Sequence, residues 1–217
     1  MRATAAALAV ALAVAAPGTA AADDRPSTGH LVAAGLAMAP PTYLIATTAH
    51  ESSHALAAVL LGLEVTSFRL YPGIHPRTRT FYFAWVDVRG ITSRGQRTTF
   101  LVAPKITDAA LLAGYSALIY TDTIPSNRYG RLALAVLATG FWIDFSRDAI
   151  SWWSHNDTVR IYSQYGLRSE WRRLPFRLVH AGLAFAAALP IARGYRGAFG
   201  DDDTATTTIV PLLSGAF

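Results

Sequence analysis

The sequence predicts a mainly α-helical, polytopic membrane bundle: about four spans behind a signal peptide, with a small β-hairpin or sheet after the first span. Three observations carry this. Hydrophobic residues make up 52% of the 217 residues and charged residues 15%, whereas a soluble domain carries about 25% charged residues. Apolar stretches of roughly spanning length recur along the chain. Arginines gather between those stretches, where membrane proteins keep their topology determinants. The net charge of +5 is therefore not read as a nucleic-acid footprint.

Residues 1–22 read as a cleaved secretory signal. Arg2 supplies a basic start, residues 3–16 a small-residue apolar run too short to span, and Ala20-Ala21-Ala22 an A-x-A cleavage site before Asp23. Residues 23–200 then form the membrane-embedded domain, and residues 201–217, opening on Asp201-Asp202-Asp203, a solvated tail. The first apolar stretch, 30–63, is interrupted by Pro40-Pro41, which predicts the end of one short segment and the start of another. Residues 42–63 make about 30 Å of helix, enough to cross a bilayer. Further stretches follow at 98–120, 131–150 and 175–192. The first two of these contain Lys105, Asp108, Asp144 and Asp148; Lys105 and Asp108 stand three apart and are expected to pair.

Residues 64–90 differ in kind. Val65, Phe68, Tyr71, Phe81, Phe83, Trp85, Val86 and Val88 favour strands, and Pro72-Gly73 marks a turn. His75, just beyond it, reads as an exposed loop histidine. Arg69, Arg77, Arg79, Arg89, Arg94 and Arg97 surround this hairpin. Arg147, Arg160, Arg168, Arg172, Arg173 and Arg177 follow the third span, whereas the 121–130 connection carries only Arg128. The positive-inside rule puts the hairpin and the 147–177 segment on the cytoplasmic side of a bacterial inner membrane. A cleaved signal, which leaves the mature N-terminus outside, agrees. Trp142, Trp152, Trp153 and Trp171 fall where an aromatic belt at that edge would lie.

With no cysteine, a metal must be held by His, Asp or Glu. His50-Glu51-Ser52-Ser53-His54 is an H-E-x-x-H sequence. On a helix its histidines share one face and can reach one tetrahedral Zn²⁺, with Glu51 placed to act as the general base on a metal-bound water. The motif lies within an apolar stretch, where ionisable residues are costly and mark function. His180, alone in the last span, reads as a donor between helices.

The run His50-Glu51-Ser52-Ser53-His54-Ala55-Leu56-Ala57-Ala58, then Leu61-Gly62-Leu63-Glu64-Val65, resembles the start of the site-2 protease family, the intramembrane zinc metallopeptidases. The resemblance covers about residues 42–165. It implies a strand-rich segment after the motif helix, a metal within the membrane nearer the cytoplasm, a membrane protein or peptide substrate, and an aspartate as third ligand. Asp157, in Asp157-x-x-Arg160-Ile161, resembles the aspartate of the family's D-G-G-R followed by an apolar residue, although both glycines and the upstream N-x-x-P are missing. Asp148 and Asp144, four apart on the third span, are the alternative ligands. An inactive relative that binds membrane partners, and a membrane scaffold with a histidine-lined polar path, are the other readings.

Overall fold

The computed structural model describes residues 26–152 and 156–200. The expected signal segment, Trp153 and the acidic tail lie outside the described residues. Within them the chain is mainly helical with a small antiparallel sheet. The order is α1 (Thr28–Leu60), β1 (Glu64–Arg69), β2 (Gly73–Ile74), β3 (Phe81–Tyr82), β4 (Trp85–Arg89), α2 (Arg94–Tyr120), α3 (Arg128–Ile150), α4 (Asp157–Gln164) and α5 (Glu170–Phe199).

Pro40 and Pro41 do not divide the first apolar stretch: α1 runs through both as one 33-residue helix. The prolines remove the N–H donors for the Leu36 and Ala37 carbonyls, but packing clamps the helix on either side. Gly35 lies against Leu132 of α3, and Thr42 and Ala46 lie against Gly140, where any side chain would strike the Thr42 methyl. Such small-residue contacts let helix backbones approach closely. Gly62 ends α1 in the left-handed region at φ +68°. Its N–H reaches the Val59 carbonyl at 3.1 Å and that of Leu63 the Ala58 carbonyl at 2.9 Å, a Schellman closure that turns the chain into β1.

The expected hairpin forms as two successive ladders. β1 pairs antiparallel with β4, Val65 opposite Val88 and Arg69 opposite Trp85, and β2 pairs with β3. The chain reverses at residues 75–80 rather than at Pro72-Gly73, and His75 is the reason. Its Nδ1 accepts from the N–H groups of Arg77 and Thr78 at 3.3 and 3.2 Å, while its Nε2 faces Asp87 Oδ2 at 2.9 Å. Tyr82 and Trp85 pack edge-on against the ring. The side chain expected to be an exposed loop histidine is therefore 5% exposed. The hairpin lies back along α1. Val65, Val86 and Val88 pack on Ala58, Leu63, Phe100 and Leu101, and Phe83 meets Tyr43 ring to ring at 5.3 Å, about 25 Å of helix before the end of α1.

α3 packs against α1, α2 and α5, with Ala138, Phe141 and Phe145 in a core shared with Ala46, Leu112, Tyr115, Ala184 and Ile191. Trp142 belongs to this interior rather than to a belt: its Nε1 donates to the Ala184 carbonyl at 2.7 Å. Trp152 and Trp171 are exposed. His180 links helices as expected, its Nε2 2.9 Å from the Phe145 carbonyl.

Among the described residues two helices, α1 and α5, are long and apolar enough to cross a membrane, not the expected four. α2 and α3, at 27 and 23 residues, are long enough. Their polarity comes from Lys105, Asp108, Asp144, Arg147 and Asp148, most of which are packed inside the bundle. Phe185 on α5 is 70% exposed and Leu60 on α1 is 77% exposed, so these apolar helices are not the buried core of a globule.

Candidate metal centre

His50 and His54 stand one turn apart on α1, their rings edge to face at 5.0 Å. Each imidazole is tied at Nδ1. His50 Nδ1 donates to Asp144 Oδ2 at 2.6 Å, and His54 Nδ1 donates to the Phe100 carbonyl at 2.8 Å. Both Nε2 atoms then turn toward one oxygen, Asp157 Oδ2, at 3.7 Å from His50 and 3.0 Å from His54. With Nδ1 tied in each ring, Nε2 offers a lone pair when the ring is neutral and donates to the Asp157 carboxylate when it is protonated.

The acceptor for His54 has an origin in the sequence. In an α-helix the Phe100 carbonyl would take the N–H of residue 104. That residue is Pro104, which has none. The break in the α2 ladder leaves a carbonyl available to the histidine, and the Phe100 ring stacks on His54 at 4.6 Å.

Asp157 is the first residue of α4. Asn156 caps the helix by accepting from the N–H groups of Thr158 and Val159, as the Asn-Asp start predicts. Asn156 Nδ2 and Thr158 Oγ1 both donate to Asp148, at 2.6 and 3.0 Å, so the residues on either side of Asp157 are held by one carboxylate of α3. Burial works against a charged Asp157. Its contacts with His50 and His54 outweigh that and hold the carboxyl below its ordinary range. Arg160 approaches the other oxygen at 3.4 Å.

The alternative ligands, Asp144 and Asp148, are not turned toward the two Nε2 atoms: Asp144 lies behind His50, at Nδ1, and Asp148 anchors the α3–α4 connection. Lys105 joins them, with Nζ 3.2 Å from Asp144, 3.5 Å from Asp148 and 3.6 Å from Asp108. The Lys105–Asp108 pair expected from spacing is thus part of a larger buried network. Its importance for the site is not legible from the sequence, because its two α2 members meet its two α3 members only through the packing of α2 on α3.

Among the described residues two side-chain groups bring ligand atoms within 4.8 Å: His50, His54 and Asp157; and His50, Asp108 and Asp144. Only the first fits a metal. Tetrahedral zinc with bonds of about 2.0–2.1 Å separates its ligand atoms by about 3.3 Å, and the measured 3.0 and 3.7 Å bracket that value. In the second group the Lys105 ammonium already supplies the cation. Glu51 takes no part in these bonds and sits half-buried beside both rings. No protein-family model, curated protein or solved structure matches this chain.

Proposed function

We propose that the chain is a membrane-embedded zinc metallopeptidase that hydrolyses peptide bonds of membrane-spanning or membrane-proximal substrates. The observation that carries this reading is the convergence of His50 Nε2, His54 Nε2 and Asp157 Oδ2, with both Nδ1 atoms bonded away from them. His50, His54 and Asp157 would hold the zinc. When bound, zinc supplies the Lewis acidity that makes water a nucleophile near neutral pH. The Glu51 carboxylate, beside both rings, would accept a proton from the attacking water and pass it to the leaving amine. The Asp144 carboxylate and the Phe100 carbonyl keep the two rings oriented.

α2 and α3 cross the membrane beside α1 and α5. Their charged groups face one another in the interior, while Ile106, Leu111, Leu118 and Ile143 lie exposed. The Arg-rich hairpin, α4 and the start of α5 face the cytoplasm. The β1–β4 ladder has only two strands, so each leaves a backbone edge unpaired. An extended substrate would pair along such an edge, which runs beside α1 toward the motif.

The test is zinc stoichiometry in detergent for wild type, Glu51→Gln, His54→Ala and Asp157→Ala, with cleavage of an unstable single-span peptide in parallel. One zinc per chain, kept in Glu51→Gln without cleavage and lost in the other two variants, supports the protease. Folded wild type without zinc sinks it and leaves a membrane scaffold. Zinc without cleavage of any of several such peptides favours the inactive relative.

A further inference from the structure

We propose that the opposite end of the bundle holds a binding site for the phosphate group of an anionic phospholipid. A cleft of about 500 Å³ opens between the end of α2, the start of α3 and the last turns of α5, lined by Arg131, Arg193, Arg196, Gly197 and Asp122 among others. It lies far from the metal centre. Leu132, beside Arg131, packs on Leu31 at the start of α1, roughly 30 Å of helix before His50.

Among the described residues none of the three guanidiniums has a carboxylate within ion-pair distance, Asp122 included. Arg131 Nε donates to the Pro125 carbonyl at 2.9 Å, and Arg193 lies over the Tyr120 ring at 5.6 Å. Gly197 keeps the cleft open, since a Cβ there would come within 3.0 Å of Arg131 Nη1. Three positive charges therefore face one negative charge in a shared recess. Guanidinium forks match the planar pairs of oxygens that a phosphate presents.

The exposed face of α5 assigns the source of that phosphate. Phe185 and Leu189, 70% and 51% exposed, precede Arg193 at four-residue steps, and Arg196 follows one turn later. These four residues share one face of the helix. An acyl chain would lie along the apolar part while the phosphate sits among the arginines. A free phosphate would use the recess and leave the apolar strip bare. The choice of a lipid rests on the membrane reading of α5, and does not depend on the metal.

The experiment is native mass spectrometry of the full chain released from nanodiscs of phosphatidylcholine with phosphatidylglycerol, counting retained phospholipid. Wild type should keep one phosphatidylglycerol per chain. Arg193→Gln/Arg196→Gln should bind it roughly thirty-fold more weakly, while Arg168→Gln/Arg172→Gln, which removes the same charge at the other end, should not. Equal retention in all three overturns the proposal. So does displacement of the lipid by inorganic phosphate, which would make this a soluble-anion site. Retention only after Asp201→Asn/Asp202→Asn/Asp203→Asn would assign the arginines to the chain's own acidic run, and also overturns it. A chain that stays in solution without detergent defeats the membrane reading itself, and is distinguished by the absence of nanodisc insertion.

Discussion

His54 and Phe100 are joined by a 2.8 Å hydrogen bond from the imidazole Nδ1 to a main-chain carbonyl that Pro104 leaves without its helical donor. A helix defect in α2 thereby sets the tautomer of a side chain in α1. Pro104→Ala restores the N–H and makes it compete for the same oxygen. The expected outcome is a protein no less stable, because a proline is removed from a helix interior, yet with zinc affinity lowered about tenfold. Chelator competition and thermal unfolding, measured together, check it. Parallel loss of stability and affinity would show that Pro104 acts only through the fold.

Asp144 and Asp157 both touch His50, but on different nitrogens. Removing each should therefore differ in kind. Asp157→Ala abolishes zinc binding. Asp144→Asn keeps one zinc at saturation while lowering affinity about ten- to hundred-fold, the usual effect of disturbing a histidine's outer partner. Titration with a coloured zinc indicator separates the two. Loss of stoichiometry in Asp144→Asn would return Asp144 to the ligand set.

Lys105 is 8% exposed and faces three carboxylates. Lys105→Met removes the cation and leaves like charges buried together. A destabilisation of about 3–5 kcal/mol is expected, with the added Lys105→Met/Asp148→Asn exchange recovering part of it. Denaturant unfolding in detergent measures both.

His75 holds the hairpin tip, and its partners Arg77, Thr78 and Asp87 all lie within the hairpin. His75→Ala should leave zinc stoichiometry unchanged and speed amide exchange across residues 73–82, where His75 bonds Arg77, Thr78 and Asp87. Hydrogen-exchange mass spectrometry reads this directly. Zinc loss in this variant would tie the hairpin to the metal.

The chain has no cysteine, so single cysteines report topology cleanly. Thr123→Cys, between α2 and α3, and Arg168→Cys, between α4 and α5, should label with a membrane-impermeant maleimide from opposite sides of intact membranes. Labelling from one side would reduce the four crossings proposed here.

Local patterns were readable wherever chemistry depends on near neighbours. The four-residue spacing of His50 and His54 puts both on one helix face whatever surrounds them. Asn156-Asp157 before an apolar run starts a helix because the amide caps free N–H groups. Strand-forming residues after Gly62 make a hairpin. Pro40-Pro41, by contrast, misled: local propensity breaks a helix there, and contacts from α3 hold it together. The sequence favours Asp157 as the third ligand over Asp148 and Asp144, but nothing in the flanking residues says that Asp144 will meet Nδ1 of His50 and Asp148 the start of α4. His75 looked like a loop residue because its partners Asp87, Tyr82 and Trp85 arrive only when the hairpin closes. The same holds for Lys105 and for Phe100. A side chain's tautomer, charge and aim depend on groups within about 4 Å of it, and residues far apart in the chain are brought that close only by the packing of α1, α2 and α3.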